Sequence, residues 1–292
     1  MRGKIIKGIA GFYYVNVEGQ GIFECKAKGV FRNRKIKPLP GDDVTLEILD
    51  AGAMTGNITD IIDRRTELIR PAVANADQAV IVFACGEPVP NFNLLDRFLV
   101  LMQKQQMGTI ICFNKMDQVD AKRLEEIRAI YVNSGCKVMF VSAKNQTGIE
   151  ELRAAMEGKT TVFAGPSGVG KSSILNLLYP NAGMETGSIS EKIRRGKHTT
   201  RHSELFYMGR GTYLFDTPGF SSLYLEEIEK EQLREYYPEY EPYRGECRYL
   251  SCLHDKEPEC AVKDAVETGK IHPERYSNYR LLLEEVKNRK KY

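Results

Sequence analysis

No stretch of the chain comes near the roughly 18 consecutive apolar residues that a membrane-spanning helix needs, and the N-terminus lacks the continuous apolar core of a secretion signal. Both absences argue against a membrane partner and for a cytoplasmic protein. No internal repeat and no low-complexity linker is present, which removes repeat arrays and long flexible tethers from consideration. Excess charge of one sign is also lacking: 42 Lys and Arg against 39 Asp and Glu leave a net +3, too little to argue for nucleic acid by itself. Seven cysteines is an odd count, and without a secretion signal it disfavours a disulfide framework. Thiols or metal ligands in a reducing compartment are expected instead.

What is present fits a globular protein of two or three domains. The 292 residues exceed the usual single-domain size, and 42% hydrophobic with 28% charged residues supply a core of ordinary extent. The positive charge is clustered. Residues 26–37 carry Lys26, Lys28, Arg32, Arg34, Lys35 and Lys37 without an acid, and a second run holds Lys192, Arg194, Arg195, Lys197 and Arg201. Each run reads equally as a phosphate-contact surface or as a solvated face.

Three regions follow one another. Residues 1–68 read as short strands: 11–18 alternates in part, a hairpin leads into 21–27, Pro40-Gly41-Asp42 turns into 44–49, and a last strand lies near 56–62. Short strands around a basic loop fit a small closed barrel of the OB type, there for RNA contact or for packing alone. Residues 69–225 alternate apolar strands at 79–83, 109–113, 138–141, 160–164 and 212–216 with helical stretches such as 93–106 and 122–134. That is the pattern of a doubly wound α/β domain with a parallel sheet. Residues 226–292 become rich in Glu and Tyr, then in Cys, then helical. A short helix over 261–268 should stop at Gly269, and a last helix should start at Pro273 with Tyr276, Tyr279, Leu283 and Val286 on one face.

Four motifs carry the chemistry. Gly165-Pro166-Ser167-Gly168-Val169-Gly170-Lys171-Ser172, with Ser173 behind it, follows a strand and opens a helix. In that context glycines let backbone N–H groups cradle phosphates, Lys171 reaches the β- and γ-phosphates, and the Ser172 hydroxyl coordinates Mg²⁺. Asn114-Lys115-Met116-Asp117 ends another strand. A carboxylate at Asp117 accepts both N1–H and the exocyclic amine of guanine, a donor pair that adenine does not offer. Asn114 would tie this loop to the phosphate loop, and the Lys115 stem would cover the base. Ser142-Ala143-Lys144, at a third strand end, offers a backbone N–H to the guanine carbonyl oxygen. Asp216-Thr217-Pro218-Gly219 matches the γ-phosphate sensor, Asp216 towards Mg²⁺ and the Gly219 amide towards the phosphate. In an ordinary GTPase the phosphate loop opens the domain and the base readers close it. Here the base readers come first, the order expected of a circularly permuted P-loop GTPase.

Between the phosphate loop and the sensor lies Gly196-Lys197-His198-Thr199-Thr200-Arg201, the natural first switch. Either threonine can ligate Mg²⁺ in the GTP state, with Thr200 favoured. Phe220 stands where many GTPases carry a glutamine that orients the attacking water, and a phenyl ring cannot hold water that way. His198 is the candidate to do so; a surface histidine without a role is the equal alternative.

Cys247-x4-Cys252-x-His254-x5-Cys260 supplies three thiolates and an imidazole within fourteen residues, the donor set of a closed structural zinc site. The other cysteines, Cys25, Cys85, Cys112 and Cys136, fall in or beside strands and should be buried small hydrophobes.

An OB-like barrel, a permuted GTPase domain and a Cys₃His module with helices, in that order, resemble the RsgA family of bacterial GTPases. The resemblance spans the whole chain and includes Gly-Lys-His-Thr-Thr at 196–200, Asp-Thr-Pro-Gly at 216–219 and Arg-Tyr-x-x-Tyr at 275–279. It implies GTP hydrolysis stimulated by the small ribosomal subunit, one zinc ion, Mg²⁺ with GTP, contact with ribosomal RNA and a role in late maturation of that subunit. A monomer is expected.

Overall fold

The computed structural model describes residues 1–28, 31, 37–69, 72–180, 204–216, 225 and 228–289. The chain forms two compact units and visits each twice: residues 1–80 with 149–220 make the first, and 81–148 with 221–292 the second.

In the first unit, strands β1 (Arg2–Ile9), β2 (Phe12–Val17), β3 (Gly21–Ala27), β4 (Asp43–Asp50) and β5 (Thr55–Ile61) close into a barrel in the order β1-β2-β3-β5-β4. The parallel pairing of β3 with β5 and the return of β4 to β1 complete the expected OB-type closure. Inward-facing Ile5, Val15, Val17, Phe23, Cys25, Val44, Leu46 and Ile58, with Phe31, fill the interior. Sequence alternation does not single out β1. A bulge between Ile5 and Lys7 puts Ile5 and Ile6 inside together and breaks the period of two. Gly41, at φ +94°, cannot be replaced freely: a Cβ there would lie 1.9 Å from the carbonyl oxygen of Ala74. That close approach seats the small hairpin β6 (Glu67–Ile69) and β7 (Ala72–Ala74) on the barrel's turn.

Beyond the hairpin the chain runs β8 (Gln78–Ala84), α1 (Phe92–Lys104), β9 (Gly108–Asn114), α2 (Ala121–Tyr131), β10 (Lys137–Phe140), α3 (Ile149–Met156), β11 (Thr160–Ala164), α4 (Lys171–Leu178), β12 (Leu205–Gly209), β13 (Thr212–Asp216), α5 (Ala261–Glu267) and α6 (Pro273–Asn288). In the second unit the strand order is β10-β9-β8, with β9 and β10 parallel; in the first it is β11-β13-β12. The α/β reading holds with one correction. Strand β12, which its half-buried pattern hid, pairs antiparallel with β13, so the sheet is mixed rather than wholly parallel.

The second unit's core joins α1 and α6 to the segment 225–240 and the cysteine loop, through Leu225, Ile228, Leu233, Tyr237, Tyr240, Tyr279, Leu282, Leu283 and Val286. Gly269, at φ +74°, follows the short helix α5, and Pro273 opens α6 behind a His272 cap. Tyr279, Leu283 and Val286 are buried as expected, with Tyr276 half-buried beside them. Of the four cysteines expected to be buried, Cys25, Cys85 and Cys112 are; burial pushes their thiols up, to about 11 for Cys25 and about 12 for the other two. Cys136 departs from that expectation. It sits half-buried in the turn before β10, its sulfur 3.7 Å from the Ser134 carbonyl.

Candidate nucleotide site and metal centre

The phosphate loop lies in the first unit, between β11 and α4. Gly168 and Gly170 sit at φ +80° and +88°, conformations that turn successive N–H groups to one side and that side chains with a Cβ rarely adopt. Gly170 is the residue before α4 and supplies no side-chain cap, so no side-chain oxygen of its own competes with an anion at the helix N-terminus. Val169 is buried beneath the loop, while Ser167 and Gly168 are exposed and Pro166, Lys171, Ser172 and Ser173 half-buried. Strands β11 and β13 run parallel with Phe163 opposite Asp216. The backbone therefore brings Asp216 beside the strand end from which Gly165 leaves, where a γ-phosphate sensor belongs.

The base-reading motifs lie in the second unit, and here the structure assembles two separated stretches. Asn114 ends β9 and is 1% exposed; its Oδ1 accepts the Ala143 N–H at 3.0 Å. Lys115 adopts φ +61° and donates its amine to the Glu87 carbonyl at 2.6 Å. Met116 and Asp117 continue into one short turn of 3₁₀ helix, with Met116 N–H bonded to the Val141 carbonyl. The Ser142 hydroxyl donates to Asp117 Oδ1 at 2.5 Å and accepts the Asn145 N–H at 3.1 Å. That hydrogen bond, aided by Lys144 and Lys115, holds the exposed Asp117 carboxyl below its ordinary value, so it stands ionised and ready to accept. Lys144 belongs to the loop closed by the Ser142–Thr147 bridge. Gly148 at φ +75° ends that loop, and a Cβ there would come 2.7 Å from the Phe140 carbonyl.

His198, Thr199, Thr200, Gly219 and Phe220 lie outside the described residues, as do the side chain of Asp216 and most of both basic runs.

The metal ligands converge as expected. One donor atom from each of Cys247, Cys252, His254 and Cys260 lies within 4.8 Å of the others. Cys247 Sγ is 3.6 Å from His254 Nδ1 and 3.9 Å from Cys260 Sγ, and His254 Nδ1 is 3.3 Å from Cys260 Sγ. These three distances form one face of a tetrahedron of the size that a single ion would need. Burial pushes the His254 ring down to about 4 and the Cys252 thiol up to about 12. The imidazole is thus neutral and able to ligate, and thiolates here need a cation beside them.

Several residues that support the metal site lie outside its Cys/His ligand motif. Tyr276 and Tyr279 donate to the carbonyls of His254 and Leu253 at 2.8 and 2.6 Å, and Arg234 donates to the Cys252 carbonyl at 2.6 Å. They hold the ligand loop from the helix side. Beneath them Arg275 is buried between Asp96, at 2.5 Å, and Glu239, at 2.6 Å, with its guanidinium 4.6 Å from the Tyr237 ring centre. The only sequence signal was an Arg followed by two tyrosines at helical spacing.

Comparisons with known proteins agree with the family resemblance and the fold. The family model described as RsgA GTPase matches residues 61–226, and that of the RsgA N-terminal domain matches residues 2–55. A curated relative from Agathobacter rectalis, named small ribosomal subunit biogenesis GTPase RsgA, is 54% identical over the full length of both chains. One of the same name from Alkaliphilus metalliredigens is 45% identical, covering 100% of this chain and 99% of its own. Among solved structures, YjeQ from Thermotoga maritima superposes with a TM-score of 0.85 at 35% identity over 99% of each chain. YloQ, described as a circularly permuted GTPase, gives 0.82 at 40% identity over 100% of this chain and 96% of its own.

Proposed function

The chain belongs to the RsgA GTPase family, and from that premise we propose that its GTP hydrolysis serves late maturation of the small ribosomal subunit. The observation that carries the guanine reading is the Ser142–Asp117 hydrogen bond together with the Ala143–Asn114 one, which make a single base-reading surface from two distant stretches. Asp117 accepts from the guanine N1–H and amine, and the Lys115 stem covers the base. The loop 165–173 holds the α- and β-phosphates on its N–H groups, with Lys171 on the β- and γ-oxygens.

Magnesium, held by Ser172, Thr200 and Asp216, would neutralise charge on the phosphoryl oxygens. Gly219 binds the γ-phosphate, and His198 positions water, since Phe220 cannot. The zinc module takes one Zn²⁺ on Cys247, Cys252, His254 and Cys260. With bonds of about 2.3 Å to sulfur, a tetrahedral zinc site has S···S edges of about 3.8 Å, against 3.9 Å between Cys247 and Cys260. Binding to ribosomal RNA draws support from the basic runs at 26–37 and 192–201, which concentrate charge that the whole chain lacks. The protein then works as a cytoplasmic monomer with three functional regions, 1–68, 69–225 and 226–292. Among the described residues no helix is long and apolar enough to cross a membrane.

The deciding experiment is GTP turnover by the purified protein with and without purified small subunits. Strong stimulation by small subunits alone is expected. Equal stimulation by large subunits, or none by either, would overturn the assignment.

A further inference from the structure

Within the first unit, the barrel grips β12 and β13 through contacts that no step of hydrolysis requires. Strand β1 pairs with β4 over Arg2–Lys4 only. Past its bulge, the β1 backbone bridges Glu204 instead, and the Lys7 amine closes a 2.9 Å ion pair with the Glu204 carboxylate. On β2, Asn16 is 5% exposed and donates Nδ2 to the Tyr213 hydroxyl at 2.9 Å. The Lys4 amine lies 5.6 Å from the centre of the same ring, and the Tyr207 hydroxyl donates to Glu18 at 3.3 Å.

The position of this grip gives it meaning. Strands β12 and β13 are antiparallel with Leu205 opposite Phe215, so the chain enters the pair at Glu204 and leaves it at Asp216 on one end. In sequence, Glu204 follows the expected first switch by three residues, and Asp216 begins the γ-phosphate sensor. A hydrogen-bonded strand pair moves as one body. Buried polar bonds and a backbone bridge tolerate little change in orientation, whereas an apolar contact would slide.

We propose that the β12–β13 pair transmits the nucleotide state to the barrel, with Asn16–Tyr213 and Lys7–Glu204 as the coupling contacts. Tyr213 and Glu204 are positioning residues in this scheme, acting through the strand pair. Linkage makes the coupling reciprocal, so a partner held by the barrel in one nucleotide form shifts the affinity for that nucleotide. The proposal rests on the reading of the loop at 165–173 as a GTP site.

Hydrogen–deuterium exchange on the full chain tests it, comparing GDP with a non-hydrolysable GTP analogue and following peptides from β1 and β2. Wild type should differ between the two forms by roughly fivefold or more in exchange rate, the lower end of usual coupling between sites. The double variant Tyr213→Phe with Glu204→Gln should lose most of that difference while both nucleotides still bind. Lys7→Gln, at a partly exposed barrel position, should give a partial loss. Identical β1–β2 exchange in the two wild-type forms would overturn the coupling, as would its survival in the double variant. A binding titration run alongside separates the premise: if wild type binds neither nucleotide, the GTP reading itself falls and this proposal with it.

Discussion

On the proposed reading Asp117 recognises the base through an exposed carboxylate, which the Ser142 hydroxyl aims and holds below its ordinary value. Asp117→Asn should therefore weaken GTP binding and open the site to xanthosine triphosphate. The exchanged amide donates where guanine also donates, whereas the xanthine 2-carbonyl accepts. Nucleotide competition checks this, and a variant that still prefers GTP would show that Asp117 is not the base reader. A second carboxylate tells of burial rather than ligand. Burial pushes Asp96 from 3.8 up to about 6 despite the Arg275 guanidinium beside it. A carboxyl whose folded value is raised stabilises the fold fully below its unfolded value, and that contribution is lost as pH rises through the folded value, here about 6. His254 and His272, whose rings burial holds neutral, work the other way in the same range. The comparison must therefore be made against Asp96→Asn, which has no proton to lose. The melting temperature of wild type relative to Asp96→Asn should rise as pH falls from about 7.5 to about 5; a difference that stays flat would remove the buried carboxyl as a pH-dependent group.

At the scale of elements, α6 and the cysteine loop depend on each other. The loop has few apolar residues of its own; it gathers four candidate metal ligands and is held by the Tyr276 and Tyr279 hydroxyls and by Arg234. Removing zinc, or Cys252→Ser, should loosen residues 245–262 and weaken small-subunit binding while leaving GTP affinity nearly unchanged. Metal analysis with parallel GTP and subunit titrations checks it; native protein without zinc would refute the metal assignment. The ligands were legible because thiolates and imidazole at such spacing have few other uses. Their supporting hydroxyls were not, since a helical tyrosine reads as core until its partner carbonyl is known. The same limit applies to strands. Continuous apolar runs marked β8 and β9, whereas the bulge in β1 and the half-buried pattern of β12 erased the periodicity by which a strand is seen. Motif residues carry their chemistry in their identity. Ser142 showed only half of its role that way, because the tripeptide promises a backbone donor and says nothing of a hydroxyl on Asp117.

For the molecule as a whole, the chain visits each of its two compact units twice, with the phosphate loop in one and the base readers in the other. Motif order made the permutation legible, since circular permutation changes which motif comes first and leaves each motif intact; the division into two units was not legible, because the sequence reads as three successive regions. What order cannot reveal is which group completes catalysis. Phe220 occupies the position of the usual water-orienting glutamine, so the protein either carries its own substitute or borrows one from its partner. On our reading the substitute is His198, in the segment that precedes the coupling residue Glu204. His198→Ala should then depress subunit-stimulated turnover by about 10- to 1,000-fold, the range of a single orienting or acid–base group, with little change in nucleotide affinity. An interaction made chiefly in the transition state lowers kcat without a matching loss of binding. Single-turnover hydrolysis on saturating small subunits, with nucleotide Kd measured in parallel, separates the two effects. Normal turnover by the variant on the subunit would assign water positioning to a ribosomal group, and the enzyme's active site would then be complete only in the assembled complex.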